Sequence, residues 1–338
     1  MQLKLSVLDQ SPIHDNKEPK EGLHDTLKLA KACEEFGFYR YWCAEHHDTP
    51  GYASASPEIM VGAVASVTSK IKVGSGGVML NHYSAYKVAE TFNALNALYG
   101  DRIDLGIGRA NGANFLSARA LHNKNSDSYT KKTYDLIGFL DDTIAEDECF
   151  HEVGVSPKQD SFVPVYLLGS SDGSSSLAAQ VGAGFCLALF IGTHDRPKQI
   201  IDTYKKQFRP SKNFLKPKAM IAVACICAQT KEKAIEIATT HTYWKVQAFR
   251  HSVRDGLFSP KDVEKLYEEL SYEDKLYYHE TMETMILGTP KECKKQIERL
   301  AKEYEVDEVM IVNVTYSFED RLNSYKLLAQ EFNLDKGR

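Results

Sequence analysis

Glu45, His46 and His47 stand side by side in the stretch RYWCAEHHDTPGYASASPE, Arg40 to Glu58. A carboxylic acid beside two imidazoles admits a metal site, an acid–base site or a solvated loop. Metal is the weakest of these. Adjacent side chains on an extended segment point to opposite sides, so only one of the two histidines can face a shared centre. HExxH is absent, and no Cys/His cluster has ligand spacing. An imidazole titrates near neutrality and suits proton transfer. The plainer alternative is a pair of hydrogen-bonded histidines on a polar loop.

Two further stretches carry chemistry. Gly74-Ser75-Gly76-Gly77 interrupts an apolar run. Glycine weakens a strand unless the backbone must come close to something. Either a bulge eases packing there, or a flat ligand lies against bare peptide. Gly169-Ser170-Ser171-Asp172-Gly173-Ser174-Ser175-Ser176 joins an apolar run to a helical one. Small hydroxyl residues at a helix start make an anion site, reinforced by the helix dipole; the alternative is a serine-capped loop. Arg109 favours phosphate, because a fixed guanidinium matches it. Gly106-Ile107-Gly108 lacks the third glycine and the immediate helix of a dinucleotide fingerprint.

These groups need elements to position them. Apolar runs at residues 3–8, 38–45, 71–80, 101–109, 163–171, 184–190, 218–228 and 306–314 read as strands. They are near-continuously apolar, as in a parallel sheet buried on both faces. Helical patterns follow each one. Leu23, Leu27, Ala30 and Cys33 share a helix face; Ser56 and Pro57 open the next helix, and Gly100 closes the one over 85–100. Further helices are expected over 174–183, 196–208, 231–285 with a break near 256–260, 290–304 and 318–332. Eight such units predict a closed (β/α)8 TIM barrel forming one domain over residues 1–338, with insertions at the C-terminal face of the strands. The stretches 109–162 and 240–288 exceed the basic unit. The second, rich in Tyr, Phe and Leu, reads as a wall or lid of the site, or as a helical insertion packed outside the barrel.

Chemistry in such a barrel lies at the C-terminal strand ends. Those ends read Asp9-Gln10, Glu45-His46-His47, Asn81-His82, Arg109, Gly169-Ser170-Ser171 and Ile191-Gly192. The net charge of −5, with no basic arm, argues against nucleic acid as a partner. Seven scattered cysteines, an odd number without a CxxC, read as reduced buried thiols. The first residues do not form a signal peptide, and no apolar stretch approaches the ~20 residues of a membrane span. A cytoplasmic location is the expectation.

The combination WCAEHH, VGSGGVML, DRIDLGIGRANG, VPVYLLGSS and MILGTPKEC, in this order, resembles the bacterial luciferase-like flavin monooxygenases. It is most similar to the single-chain, non-luminescent branch. The resemblance implies a barrel that binds reduced FMN, supplied by a separate flavin reductase. It implies a C4a-(hydro)peroxyflavin that oxidises a small organic substrate with O2, and a homodimer. His46 matches the family's active-site histidine, with Glu45 beside it. Gly76 and Gly77 match a pair joined by a non-prolyl cis peptide under the flavin ring. Arg109, Gly108, Gly169, Ser170, Ser171 and Ser174 match the cofactor-binding positions, and no metal is implied. Gly108 stands where luciferase has a reactive cysteine, Ser170 where it has a glutamate, and Asn111 where close relatives have a proline. These departures argue against light emission and leave the substrate open. The superfamily admits two alternatives, a deazaflavin- or FMN-dependent hydride-transfer oxidoreductase and a non-catalytic flavin-binding protein.

Overall fold

The computed structural model describes residues 3–110, 112, 114–121, 127–158, 161–253 and 255–334. Its strands are β1 (Lys4–Asp9), β2 (Arg40–Cys43), β3 (Lys72–Ser75), β4 (Val78–Met79), β5 (Ile103–Gly108), β6 (Val165–Gly169), β7 (Gly184–Ala188), β8 (Ala219–Cys227), β9 (Ile286–Gly288) and β10 (Glu308–Val312). The order β10-β1-β2-β3-β5-β6-β7-β8 closes because β10 also pairs with β8, and every ladder is parallel. This is the closed eight-stranded barrel expected of the sequence. Each expected strand is present, trimmed by one or more residues at an end.

Two departures concern the sheet. The run over 71–80 is split: β3 stops before Gly76-Gly77, and the short β4 resumes beyond it against β5. The glycines therefore form a break in the ladder and not its interior. The small β9 was not expected; it adds to β8 outside the barrel circuit.

Side chains alternate across each strand, so every second residue faces the barrel axis in layers. At the bottom, Ser6, Arg40, Asp104 and Glu308 meet through buried hydrogen bonds. Above them Leu8, Trp42, Tyr166, Met220 and Met310 form an apolar plug. Ala44, Gly108, Leu168, Ala188, Ala222 and Val312 come next, and these line an open cavity. The opposite faces of the strands pack on the surrounding helices in the main apolar core, among them Leu5, Val7, Val73, Ile221 and Ile311.

The helices Pro19–Glu35, Pro57–Val67, Ala85–Tyr99, Asp172–Gln180, Pro290–Glu303 and Phe318–Phe332 fall where the patterns place them. Ser56 does sit at the N-cap before Pro57, but its side chain makes no capping hydrogen bond. The expected helix over 196–208 is shortened to Gln199–Gln207, leaving Arg196 in the preceding loop. Helices Phe115–Leu121 and Tyr129–Asp141 occupy part of the first long stretch, where no sequence pattern announced them. The region over 231–285 is three helices, Lys231–Arg250, Pro260–Glu268 and Tyr272–Glu283. Ser259, with its hydroxyl accepting from the Asp262 N–H, and Pro260 at the first position start the second one. No helix among the described residues is long and apolar enough to cross a membrane. All seven cysteines are free; six are buried and Cys149 is exposed.

Candidate active site

The cavity at the C-terminal end of the barrel measures about 590 Å3, within the range of small-molecule and cofactor sites. Glu45, His46, Gly76, Gly77, Gly108, Arg109, Gly169, Ser170, Ser171 and Ser174 all line it. These ten residues, the catalytic and cofactor-binding candidates of the sequence, thus line one cavity. Asn111 lies outside the described residues. Asp9, Asn81 and His82 are at strand ends but not in the cavity wall: Asp9 is buried in an ion pair with Arg321, and Asn81 donates to the Arg109 carbonyl at 2.9 Å.

The two histidines diverge as an extended backbone requires. His46 turns to the cavity, its ring stacked on Tyr52 at 4.8 Å, and Tyr52 meets Trp244 edge-on at 4.9 Å. His47 turns the other way, its Nε2 2.7 Å from Glu45 Oε1. Glu45 is fully buried and also accepts from the Met79 N–H and the Tyr83 hydroxyl, each at 2.9 Å. Burial and this carboxylate push the Tyr83 phenol above its usual range. The Glu45 carboxylate thereby ties the loop after β2 to the β4 segment.

The floor is the Gly76-Gly77 peptide, which is cis. Both glycines are also demanded by packing. A Cβ on Gly76 would come 2.3 Å from Leu8 Cδ1, and one on Gly77 2.7 Å from the Gly106 carbonyl oxygen. The packing reading therefore holds at these residues: no side chain fits beneath, and bare peptide faces the cavity. Ser75, just before them, exchanges hydrogen bonds with the Gly106 carbonyl and N–H at 2.8 and 3.1 Å, which pins β3 to β5.

On one side, β5 and β6 run in register with Gly108 opposite Leu168. The next residues, Arg109 and Gly169, are consequently neighbours. Arg109 is exposed and makes no ion pair among the described residues. Beyond Gly169 the helix Asp172–Gln180 begins, capped reciprocally by Ser171 and Ser174. An exposed guanidinium beside a helix N-terminus is a donor set that could hold a phosphate-type anion. A mononucleotide phosphate fits this donor set, and a flat ring fits the glycine floor.

The opposite wall comes from helix Lys231–Arg250, which supplies His241, Trp244, Lys245, Ala248 and Phe249. Their spacing of three, four, seven and eight is one helix face. That periodicity was available in the sequence, but not which face would meet the barrel. The following helices pack on the far side of this one, through Tyr243, Val246, Val263 and Tyr278. So the long stretch is both things expected of it, wall in its first part and outer packing in its second. His241 is buried, and desolvation, then Lys245, then His46 hold its imidazole well below its usual pKa. Burial, with Arg196 adding to it, pushes the Lys245 ammonium down to about 8. Among the described residues no group of three His, Cys, Asp or Glu side chains could hold a metal ion.

Known proteins resemble this chain over its length. It is 37% identical over 337 residues to the YwcH protein of Bacillus subtilis, covering 98% of this chain and 99% of that one. It is 32% identical over 331 residues to the N-acetyl-S-alkylcysteine monooxygenase of the same organism, covering 97% of each. The crystal structure of apo-MsnO8 superposes with a TM-score of 0.86 at 32% identity, over 98% of both chains. The fold is shared at lower identity by the oxygenating constituent of 3,6-diketocamphane monooxygenase, solved with FMN, at 14% identity and a TM-score of 0.73 over 98% of both chains. An F420-dependent secondary alcohol dehydrogenase shares it at 17% identity and a TM-score of 0.69, over 98% of this chain and 99% of that one. The model of the luciferase-like monooxygenase family matches residues 1–307, and the chain belongs to that family.

Proposed function

We propose that this protein is an FMN-dependent monooxygenase that uses reduced FMN from a separate flavin reductase and transfers one atom of O2 to a small organic substrate. The observation that carries the reading is the convergence in one cavity of the Gly76-Gly77 floor, the exposed Arg109 beside the Ser170–Ser174 turn, and the His46 ring. When bound, reduced flavin supplies the electrons that activate oxygen.

The residues of this chain do the rest. Arg109 and the first turn of the helix after Ser171 hold the phosphate. Gly76 and Gly77 let a flat ring lie on peptide. His46, stacked on Tyr52, moves a proton at its imidazole. Glu45 is a positioning residue: its three hydrogen bonds fix the segment that presents His46 and the one that carries Met79. The apolar groups Leu8, Leu168, Val312 and Trp244 keep water from the reacting atoms.

Fluorescence titration with oxidised and dithionite-reduced FMN tests the reading. The wild type should bind saturably, and Arg109→Ala should bind about 10–100-fold more weakly, the worth of one charge-assisted contact. Absence of binding in both redox states, or protection by a deazaflavin alone, overturns it. His46→Ala should keep FMN affinity within a few-fold while substrate-dependent oxygen consumption, found by screening with an added reductase, drops roughly 10²–10⁴-fold. Undiminished consumption removes His46 from the chemistry.

A further inference from the structure

Buried cations among the described residues are compensated with one exception. Arg40 pairs with Asp104 and Glu308, and Arg321 with Asp9. Lys132 has no carboxylate in that role but satisfies its three donors on the carbonyls of Leu80, Asn81 and Tyr83. Lys245 is 3% exposed, and its ammonium donates to a single acceptor, the Phe190 carbonyl at 2.7 Å. No carboxylate pairs with it among the described residues.

A second cation adds to the imbalance. Arg196 and Lys245 hold neighbouring carbonyls, those of Ile191 and Phe190. Arg196 donates to the His194 and Ile191 carbonyls, and its Nε is buried with no partner among the described residues. Among the described residues no carboxylate pairs with Arg196 either. Lys245 in the cavity wall, held by one carbonyl next to the one that holds Arg196, is a cationic position that an anion would complete. Leaving such charge unpaired is costly unless a ligand completes it.

We propose that Lys245, backed by Arg196, anchors a carboxylate of the organic substrate. The anchor sits on helix Lys231–Arg250, one turn from His241 and on the same face as Trp244. Lys245 follows β8 and Arg196 lies in the loop after β7, whereas Arg109 and the serine turn follow β5 and β6. The flavin phosphate and the substrate carboxylate thus have separate cationic seats, and the apolar cavity between them takes the substrate's hydrocarbon part. The inference rests on the monooxygenase reading only in calling the anion a substrate; the anion site itself is independent of flavin.

Titration with octanoate and with octanamide tests it, with and without FMN, followed by tryptophan fluorescence. The wild type should bind octanoate at least tenfold more tightly than octanamide. Lys245→Gln keeps a donor for the Phe190 carbonyl and should erase that preference; Lys245→Arg should keep most of it. FMN affinity should change by less than twofold in both variants. Equal binding of acid and amide by the wild type overturns the proposal, as does an acid preference that survives Lys245→Gln. A fall in FMN affinity that matches the loss of octanoate also overturns it, assigning Lys245 to the flavin. If FMN fails to bind but octanoate is still preferred, the flavin reading falls and the anion site stands.

Discussion

The two ends of one barrel treat buried charge in opposite ways. At the bottom, the Arg40 guanidinium bridges Asp104 at 2.6 Å and Glu308 at 2.5 and 3.1 Å. Ser6 and Trp42 add hydrogen bonds to the same carboxylates at 2.7 and 3.2 Å. The rings of Tyr39, Trp42 and Tyr166 flank the cation at 4.9, 5.3 and 4.9 Å. At the top, Lys245 has one carbonyl and open cavity. The bottom pairs its ions internally, with Asp104 Oδ1 left as its one atom without a hydrogen-bond partner among the described residues; the top is incomplete. A complete cluster fixes strand register, whereas an incomplete one reserves its interactions for something that arrives. The glycines show the same gradient. A Cβ at Gly106, in the plug layer, would meet the Ser75 carbonyl oxygen at 2.2 Å, while one at Gly108, in the cavity layer, meets only the Met79 thioether at 3.2 Å.

The sharpest way to break the contrast is to empty the bottom cluster. Arg40→Met leaves two carboxylates buried without their cation. Removing one partner of such a group costs about 3–5 kcal/mol. The midpoint of urea unfolding should fall accordingly, with the loss visible whether or not FMN is present. A change under 1 kcal/mol would mean that the cluster is not the closed device described here.

Much of this architecture is legible in the chain before folding. The eight barrel strands are long enough and apolar enough to stand out, and strand ends carry the chemistry, so His46, Gly76, Gly77, Arg109 and Ser170–Ser174 could be placed in one mouth. Two kinds of feature are hidden, for different reasons. The bottom cluster depends on register: Arg40 and Glu308 are 268 positions apart, and nothing local says that their strands point them inward at one height. The far wall depends on docking: His241, Trp244 and Lys245 share a helix face, but the opposite face carries Tyr243 and Val246, apolar enough to compete for burial. Only the packing of the following two helices settles which side meets the barrel.

The smallest effect sharpens the comparison from the other end. If the Lys245 charge is unpaired in the free protein, replacing it should stabilise the fold where replacing Arg40 ruins it. Lys245→Met conserves length and removes the desolvation cost of the charge, at the loss of one hydrogen bond to Phe190, for a net gain on the order of 1–2 kcal/mol near pH 7. The sign with pH follows from the depressed ammonium. Between about pH 8 and the ordinary 10.5 the unfolded chain binds more protons at this position than the folded one, so its contribution to wild-type stability rises with pH. Arg196 stays cationic and His241 neutral over that range, so neither opposes the trend. The stability advantage of Lys245→Met over wild type, measured by urea unfolding, should therefore shrink from pH 8 to pH 10.5. A carboxylate ligand should reduce it as well, because only the wild type gains from binding. An advantage independent of pH would show that Lys245 already has its counter-charge, and the two ends of the barrel would then be alike.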